Sequence, residues 1–260
     1  MIPHEPRPWA TDGLRLLRAA SPLVLTACAL AACGRVPGQF EIVNNQVPTA
    51  GCSIPVNESL YQGQGRLDVS LVQSGSESAF FVFPLIRNNL PGAGSGPDTN
   101  QIKLKSFAVD ISLLNAPPAI TELMNGLEGN AATSPLLHYK TPWSGNIPSG
   151  GGQVSALVGA FPVELAARIL GTQVLGTSPS VWMNLRIRSF GSTTTQDMES
   201  DPFDYPVAIC AGCLIANVQP CPYTAPPQFT GNPCNVAQDS PVDCCINGNA
   251  LVCPPSVVSQ

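Results

Sequence analysis

Charge is scarce in this chain. Only 11% of its 260 residues are Asp, Glu, Lys or Arg, and the acidic residues outnumber the basic ones 17 to 12. A protein that grips nucleic acid needs a basic face for the phosphate backbone, so this balance argues against such a partner. Histidine is nearly missing too: His4 and His138 are the two in the chain. His138 is therefore the one imidazole open to catalysis or metal ligation beyond the N-terminal region, and it lies beside Tyr139 and Lys140 with no nucleophile motif nearby. Serines and aspartates are plentiful, but no G-x-S-x-G elbow occurs, and Gly92-Ala93-Gly94-Ser95-Gly96 has the wrong register for one. Aromatics amount to 6%, which leaves Trp143 in a Gly/Pro stretch and Trp182 in an alternating segment as sparse means of stacking on a sugar. No apolar run reaches the roughly 20 residues of a membrane-spanning helix, and no internal repeat of fixed period stands out.

The apolar run that does exist, Ala19 to Ala32, follows Arg7, Arg15 and Arg18 and ends in Leu30-Ala31-Ala32-Cys33-Gly34. A basic stretch, a short apolar segment and small residues before a cleavage point are the marks of an export signal. The pentapeptide resembles the lipobox of bacterial lipoproteins, which implies cleavage before Cys33 and a diacylglyceryl group on its sulfur. A second match, Leu25-Thr26-Ala27-Cys28, would leave an apolar segment of only about seven residues, at the lower limit for such signals, so Cys33 is preferred. In that family of exported proteins Gly34 and Arg35 after the cysteine, rather than Asp, imply the outer membrane. Residues 1–32 are thus expected to be a lipoprotein signal peptide, and the membrane to be reached through lipid.

Eight cysteines remain: Cys52, Cys210, Cys213, Cys221, Cys234, Cys244, Cys245 and Cys253. An even count in an oxidising compartment reads as four disulfides. Seven of the eight lie from Cys210 onward, and seven cannot pair among themselves, so Cys52 must bond into the tail. Cys210 or Cys213 is the expected partner, because an adjoining strand would hold either one rigidly. Adjacent Cys244 and Cys245 read as two bonds leaving in different directions.

Gly and Pro, 23 and 27 residues, supply many turns, and the segments between them alternate like strands. Residues 33–65 read as a lipidated tether and lead-in segment. Leu67, Val69 and Leu71 alternate with Asp68 and Ser70, and Ala79 to Ile86 is a buried strand broken at Pro84. Ile102 to Leu113 is a long strand whose alternation slips between Leu104 and Phe107, the sign of a β-bulge. Ala119 to Leu127 and Pro162 to Leu170 read as short helices, Trp143 to Gly152 as loop, and Val181 to Ile187 and Phe203 to Ile209 as strands. The expected fold is mainly β, an antiparallel sandwich (Ig-like or related) over residues 66–212, followed by an irregular, cysteine-rich tail over 213–260. Leu67, Val69, Phe81, Phe83, Val109, Ile111, Leu185, Ile187 and Val207 are the expected core between two sheets.

Tyr205-Pro206-Val207-Ala208-Ile209-Cys210-Ala211-Gly212-Cys213-Leu214, with Asn232-Pro233-Cys234, Gln238-Asp239 and Asp243-Cys244-Cys245, is similar to the C-terminal part of cysteine-rich predicted lipoproteins of myxobacteria. The resemblance implies export and lipid anchoring and carries no activity with it.

Two further patterns bear on chemistry. Cys210-Ala211-Gly212-Cys213 has the spacing of a redox pair or half a zinc site, but Pro220 and the residues before it offer no helix to lower a thiol pKa. Asp197, Glu199, Asp201 and Asp204 are spaced as weak candidate calcium ligands, without the Gly and closing Glu of an EF-hand. No cofactor is expected. The function expected is a structural or binding role in the cell envelope, without catalysis, for a protein or glycan partner; a carbohydrate- or protein-binding module using loop aromatics is the main alternative, and a hydrolase the lesser one.

Overall fold

A computed structural model describes residues 38–254 except 74, 178, 224, 225 and 249. The expected signal peptide, Cys28 and the lipidation site Cys33 lie outside the described residues.

The chain runs β1 (Phe40–Asn45), β2 (Gly65–Asp68), β3 (Phe80–Val82), β4 (Pro84–Asn88), β5 (Ile102–Asn115), helix α1 (Pro118–Glu128), β6 (His138–Ile147), β7 (Gly152–Ser155), β8 (Val158–Phe161), helix α2 (Val163–Gly171), β9 (Val181–Ser192), β10 (Asp197–Glu199) and β11 (Phe203–Cys210). Three tail strands follow: β12 (Ile215–Pro220), β13 (Val242–Asn247) and β14 (Ala250–Val252). One large sheet has the order β2-β11-β9-β5-β6 with β10 added to β9; smaller sheets are β1-β4-β7, β3-β8 and β12-β13-β14. Most pairings are antiparallel, but β2 runs parallel to β11 and β12 parallel to β13. The result is mainly β and sandwich-like.

The two longest strands carry the core because their period is two. In β9, Val181, Met183, Leu185 and Ile187 are fully buried, while Trp182, Asn184, Arg186 and Arg188 face outward. In β5 the alternation slips at Lys105, and the register with both neighbours shifts between Leu104 and Ser106, which is the expected bulge. Phe107, Val109 and Ile111 then meet Phe40, Phe80, Val82 and Ile86 of the smaller sheets, and Ile120 of α1 and Leu165 of α2 close the same core.

All nine expected core residues are buried, but not all in one place. Val69 lies in a single 3-10 turn, Val69–Leu71, because the Asp68 carboxylate caps the Ser70 N–H and ends β2. Phe81 and Phe83 face away from the main core into a small second cluster with Cys52, Ile54, Leu157 and Cys234. The run from Ala79 to Ile86 is continuously apolar because both faces of β3 are covered, one by the core and the other by the Cys52–Cys234 bond. At Pro84 the chain changes sheets: Val82 pairs with Val158 of β8, whereas Leu85 pairs with Asn44 of β1 and Ser155 of β7.

Three expectations about individual segments need correction. The segment 33–65 is not only a tether, since β1 pairs with β4 and buries Phe40. Trp143 to Ile147 is strand, not loop: β6 is an edge strand, where Pro142 is tolerated, and the Trp143 ring lies over Gly145, where a Cβ would come within 2.1 Å of it. The tail is irregular between Pro220 and Val242, as expected, but it is not separate. It forms its own three-stranded sheet, and Val236, Ala237 and Val242 belong to the main core. Side-chain amides dock it: Gln238 accepts from the Phe81 N–H at 2.8 Å and donates to the Phe81 carbonyl at 3.2 Å, and Asn235 donates to the Ala79 carbonyl at 2.8 Å.

The disulfides are Cys52–Cys234, Cys210–Cys213, Cys221–Cys245 and Cys244–Cys253. Cys52 does reach the tail, but its partner is Cys234 rather than Cys210 or Cys213. Cys52 follows β1 and sits beside β3, while Cys210 ends a strand of the large sheet and closes on Cys213 across its own turn. Cys244 and Cys245 point to opposite faces of β13, so their bonds leave in different directions. On the chain-entropy treatment, the 182-residue separation of Cys52–Cys234 corresponds to about 5 kcal/mol of stabilisation, and the three-residue separation of Cys210–Cys213 to about 2 kcal/mol.

Candidate functional site

The register of the large sheet assembles one concave feature. Ala208 of β11 lies opposite Arg66 of β2 on one side and Trp182 of β9 on the other. Adjacent strands are about 4.8 Å apart, so Arg66 and Trp182 stand about 10 Å apart in one row, with only the Ala208 methyl between them. Gln62, Gln64, Gly65 and Asp239 complete a cleft of about 180 Å³. Gly65 is required at its floor: a Cβ there would lie 2.5 Å from the Phe80 ring. Asp239 closes one end with a left-handed backbone, φ +64. It is fixed by a reciprocal pair, accepting from the Arg66 N–H at 2.8 Å and donating its own N–H to the Arg66 carbonyl at 2.9 Å. Burial pushes its carboxyl up to about 6, against the opposing hydrogen bonds from Arg66 and Gln238. The Arg66 side chain is exposed, and its charge favours the ionised Asp239 carboxylate. A flat indole, an exposed guanidinium and side-chain amides around one small hollow suit a polar ligand with a planar or ring-shaped face.

Trp143, the other aromatic candidate, is spoken for. Its ring stands edge-on to Phe107 at 6.2 Å and is half-buried against the core, so it is a packing anchor.

A second group lies at the end of the same β2–β11 pair. Asp68 is fully buried and accepts four hydrogen bonds: from the Ser70 N–H at 3.1 Å, the Ser70 hydroxyl at 2.6 Å, the Gly212 N–H at 2.8 Å and the Leu214 N–H at 2.9 Å. This one carboxylate therefore shapes the turn that carries Cys210–Cys213. Among the described residues, Asp68, Cys210 and Cys213 are also the one grouping of potential metal ligands, with their atoms within 4.8 Å of one another. Both sulfurs are bonded to each other and both carboxylate oxygens are occupied, so the arrangement as it stands does not offer a metal site. The alternation of Leu67 and Val69 puts Asp68 on the outward face of β2, where the tail's Ala237 and Gln238 lie alongside it and help to bury it. The signal available was local, an Asp two residues before a Ser, which is the pattern of a capped turn.

The suggested calcium ligands are dispersed. Asp197 pairs with Lys105 at 3.0 Å, Glu199 with Arg188 at 3.0 Å, and Asp204 with Arg186 at 2.9 Å and Asn184 at 2.6 Å. Each carboxylate answers a different side chain across the outer face of the sheet, and Asp201 is exposed beside them.

His138 opens β6 between two carboxylates, with Nδ1 at 2.9 Å from Asp110 and Nε2 at 2.8 Å from Glu128. Both ring nitrogens face acceptors, so the doubly protonated ring is favoured and neither nitrogen is left to serve a nucleophile as base. The hydrogen bonds to Asp110 and Glu128 raise its pKa above the ordinary value near 6.5. A raised histidine pKa contributes stability that is fully present below about pH 6.5 and is lost as pH rises through the folded-state value. The ring proton signals of His138 should therefore titrate with a midpoint above 6.5, and a midpoint at or below 6.5 would contradict the pairing.

No protein-family model, curated protein or solved structure matches this chain.

Proposed function

We propose that this is an exported protein of the bacterial envelope, tethered by lipid on Cys33 and working as a non-catalytic binding module whose ligand is a saccharide seated over Ala208. The observation that supports the binding role is the row Arg66–Ala208–Trp182, in which a small residue leaves a hollow between an indole and an exposed cation. The export reading is supported by the four disulfides, which use every cysteine from Cys52 to Cys253 and belong to an oxidising compartment. The resemblance of Tyr205–Leu214 and Asp243–Cys245 to cysteine-rich lipoproteins points the same way. His138, held on both sides by carboxylates, speaks against the hydrolase alternative.

The anchor is tested by cellular fractionation with palmitate labelling. The wild-type chain should label and sediment with membranes, whereas Cys33→Ser should lose both properties; label retained in that variant contradicts the anchor. The cleft is tested by titrating the intact chain with soluble cell-wall and exopolysaccharide fragments and following tryptophan fluorescence. Trp182→Ala should weaken binding at least tenfold, about 1.4 kcal/mol, with an unchanged melting temperature, because the indole contributes little to the core. Unaltered binding in Trp182→Ala would refute the site.

A further inference from the structure

We propose that Cys210–Cys213 is a thiol-exchange site, a disulfide that a low-molecular-weight thiol or a protein dithiol opens and closes while the fold stays intact. Four observations carry it. The bond spans only three residues, against 9, 24 and 182 for the others, so its loss frees the least chain entropy. The turn it closes is already held by Asp68, through the N–H groups of Gly212 and Leu214, and those hydrogen bonds do not depend on the sulfurs being joined. The two sulfurs are unequal: Cys210 is fully buried, whereas Cys213 is half-buried and approachable from solvent. Finally, Cys210 Sγ lies 3.4 Å from the Leu67 carbonyl, an acceptor that an S–H can use and a disulfide sulfur cannot. The reduced state thus has its hydrogen-bond partner in place.

The inequality fixes the order of events. An incoming thiolate attacks Cys213 Sγ, the only one of the pair it can reach, and the Cys210–Cys213 bond breaks as the mixed disulfide forms. Cys210 leaves with the electron pair, takes up a proton and turns to the Leu67 carbonyl. A second thiolate attacks the sulfur of the first reagent, and Cys213 is released as a thiol. In sum, one protein disulfide and two thiols become two protein thiols and one reagent disulfide; the reverse oxidises the pair.

The test incubates the intact chain in glutathione buffers of stepped redox ratio, with alkylation and peptide mass spectrometry at each step. In aliquots quenched with acid and alkylated in denaturant, Cys210 and Cys213 should prove to have been reduced together, at least tenfold faster than any other cysteine, while parallel unquenched samples keep an unchanged near-ultraviolet circular dichroism. In C210S, Cys213 should be recovered as a glutathione mixed disulfide, while in C213S the buried Cys210 should remain unmodified. Three results would overturn the proposal: Cys210 and Cys213 opening only as the other six do, C210S/C213S failing to fold, or stoichiometric zinc uptake by the reduced chain, which would make the pair a metal site.

Discussion

Replacing Cys52 and Cys234 together with alanine should lower the free energy of unfolding by about 4 to 5 kcal/mol, the largest effect expected of any single bond in this protein. The crosslink closes a loop of 182 residues, and the unfolded chain regains that freedom when it is removed. The folded state is affected too, since the two sulfurs cover Phe81 and Phe83 on the side of β3 that faces away from the main core. Gln238 and Asn235 would keep the tail near β3 through their amides, so the variant should remain folded at low temperature with an early denaturant midpoint. Urea unfolding in non-reducing buffer measures this directly, and a loss of less than about 1 kcal/mol would show that the tail is held by its amides alone.

Asp68→Ala is the second large effect. Four donors would lose this acceptor at once, and the Leu214 N–H would be stranded in a buried position, while the Gly212 N–H keeps only its 3.1 Å bond to the Ser70 hydroxyl. Each unsatisfied buried donor costs about 1 to 3 kcal/mol, and the total should fall near 3 to 5 kcal/mol. Asp68→Asn should be damaging as well, because an amide N–H would replace one carboxylate oxygen and face a backbone donor. Equilibrium unfolding of both variants checks the expectation. Asp68→Ala with wild-type stability would mean that the turn at Cys210–Cys213 is organised by the disulfide, which would also remove one support for thiol exchange there.

The parts of this fold legible in the sequence are those decided within one strand or helix. β9 could be read from strict alternation over Val181 to Arg188, and the bulge in β5 from a one-residue slip between Leu104 and Phe107. Both short helices follow local patterns, and parity alone sent Cys52 into the tail. What escaped depends on a distant partner. Asp68 and Arg66 occupy equivalent alternating positions on β2, yet Asp68 is buried by Ala237 and Gln238 while Arg66 stays exposed, and no property of β2 itself separates them. β1 was missed because its six residues, Phe40 to Asn45, hold three polar side chains that the alternation rule cannot use; Asn45 in fact accepts from the Phe83 N–H at 2.5 Å. The choice of Cys234 over Cys210 for Cys52 rests on which layer each occupies, which only the sheet order reveals. The cleft was half legible: Trp182 stood out as an outward aromatic, but its neighbours Arg66 and Ala208 come from strands far away in sequence.

The most direct test of the whole account is peptide mapping by mass spectrometry of native protein taken from the envelope fraction without reduction. The map should show an N-terminal peptide beginning at lipid-bearing Cys33, together with linked peptides for Cys52–Cys234, Cys221–Cys245 and Cys244–Cys253, and Cys210 and Cys213 either joined as a disulfide or both reduced. An unlipidated N-terminus that retains residues before Cys33, or free thiols at Cys52 and Cys234, would contradict it.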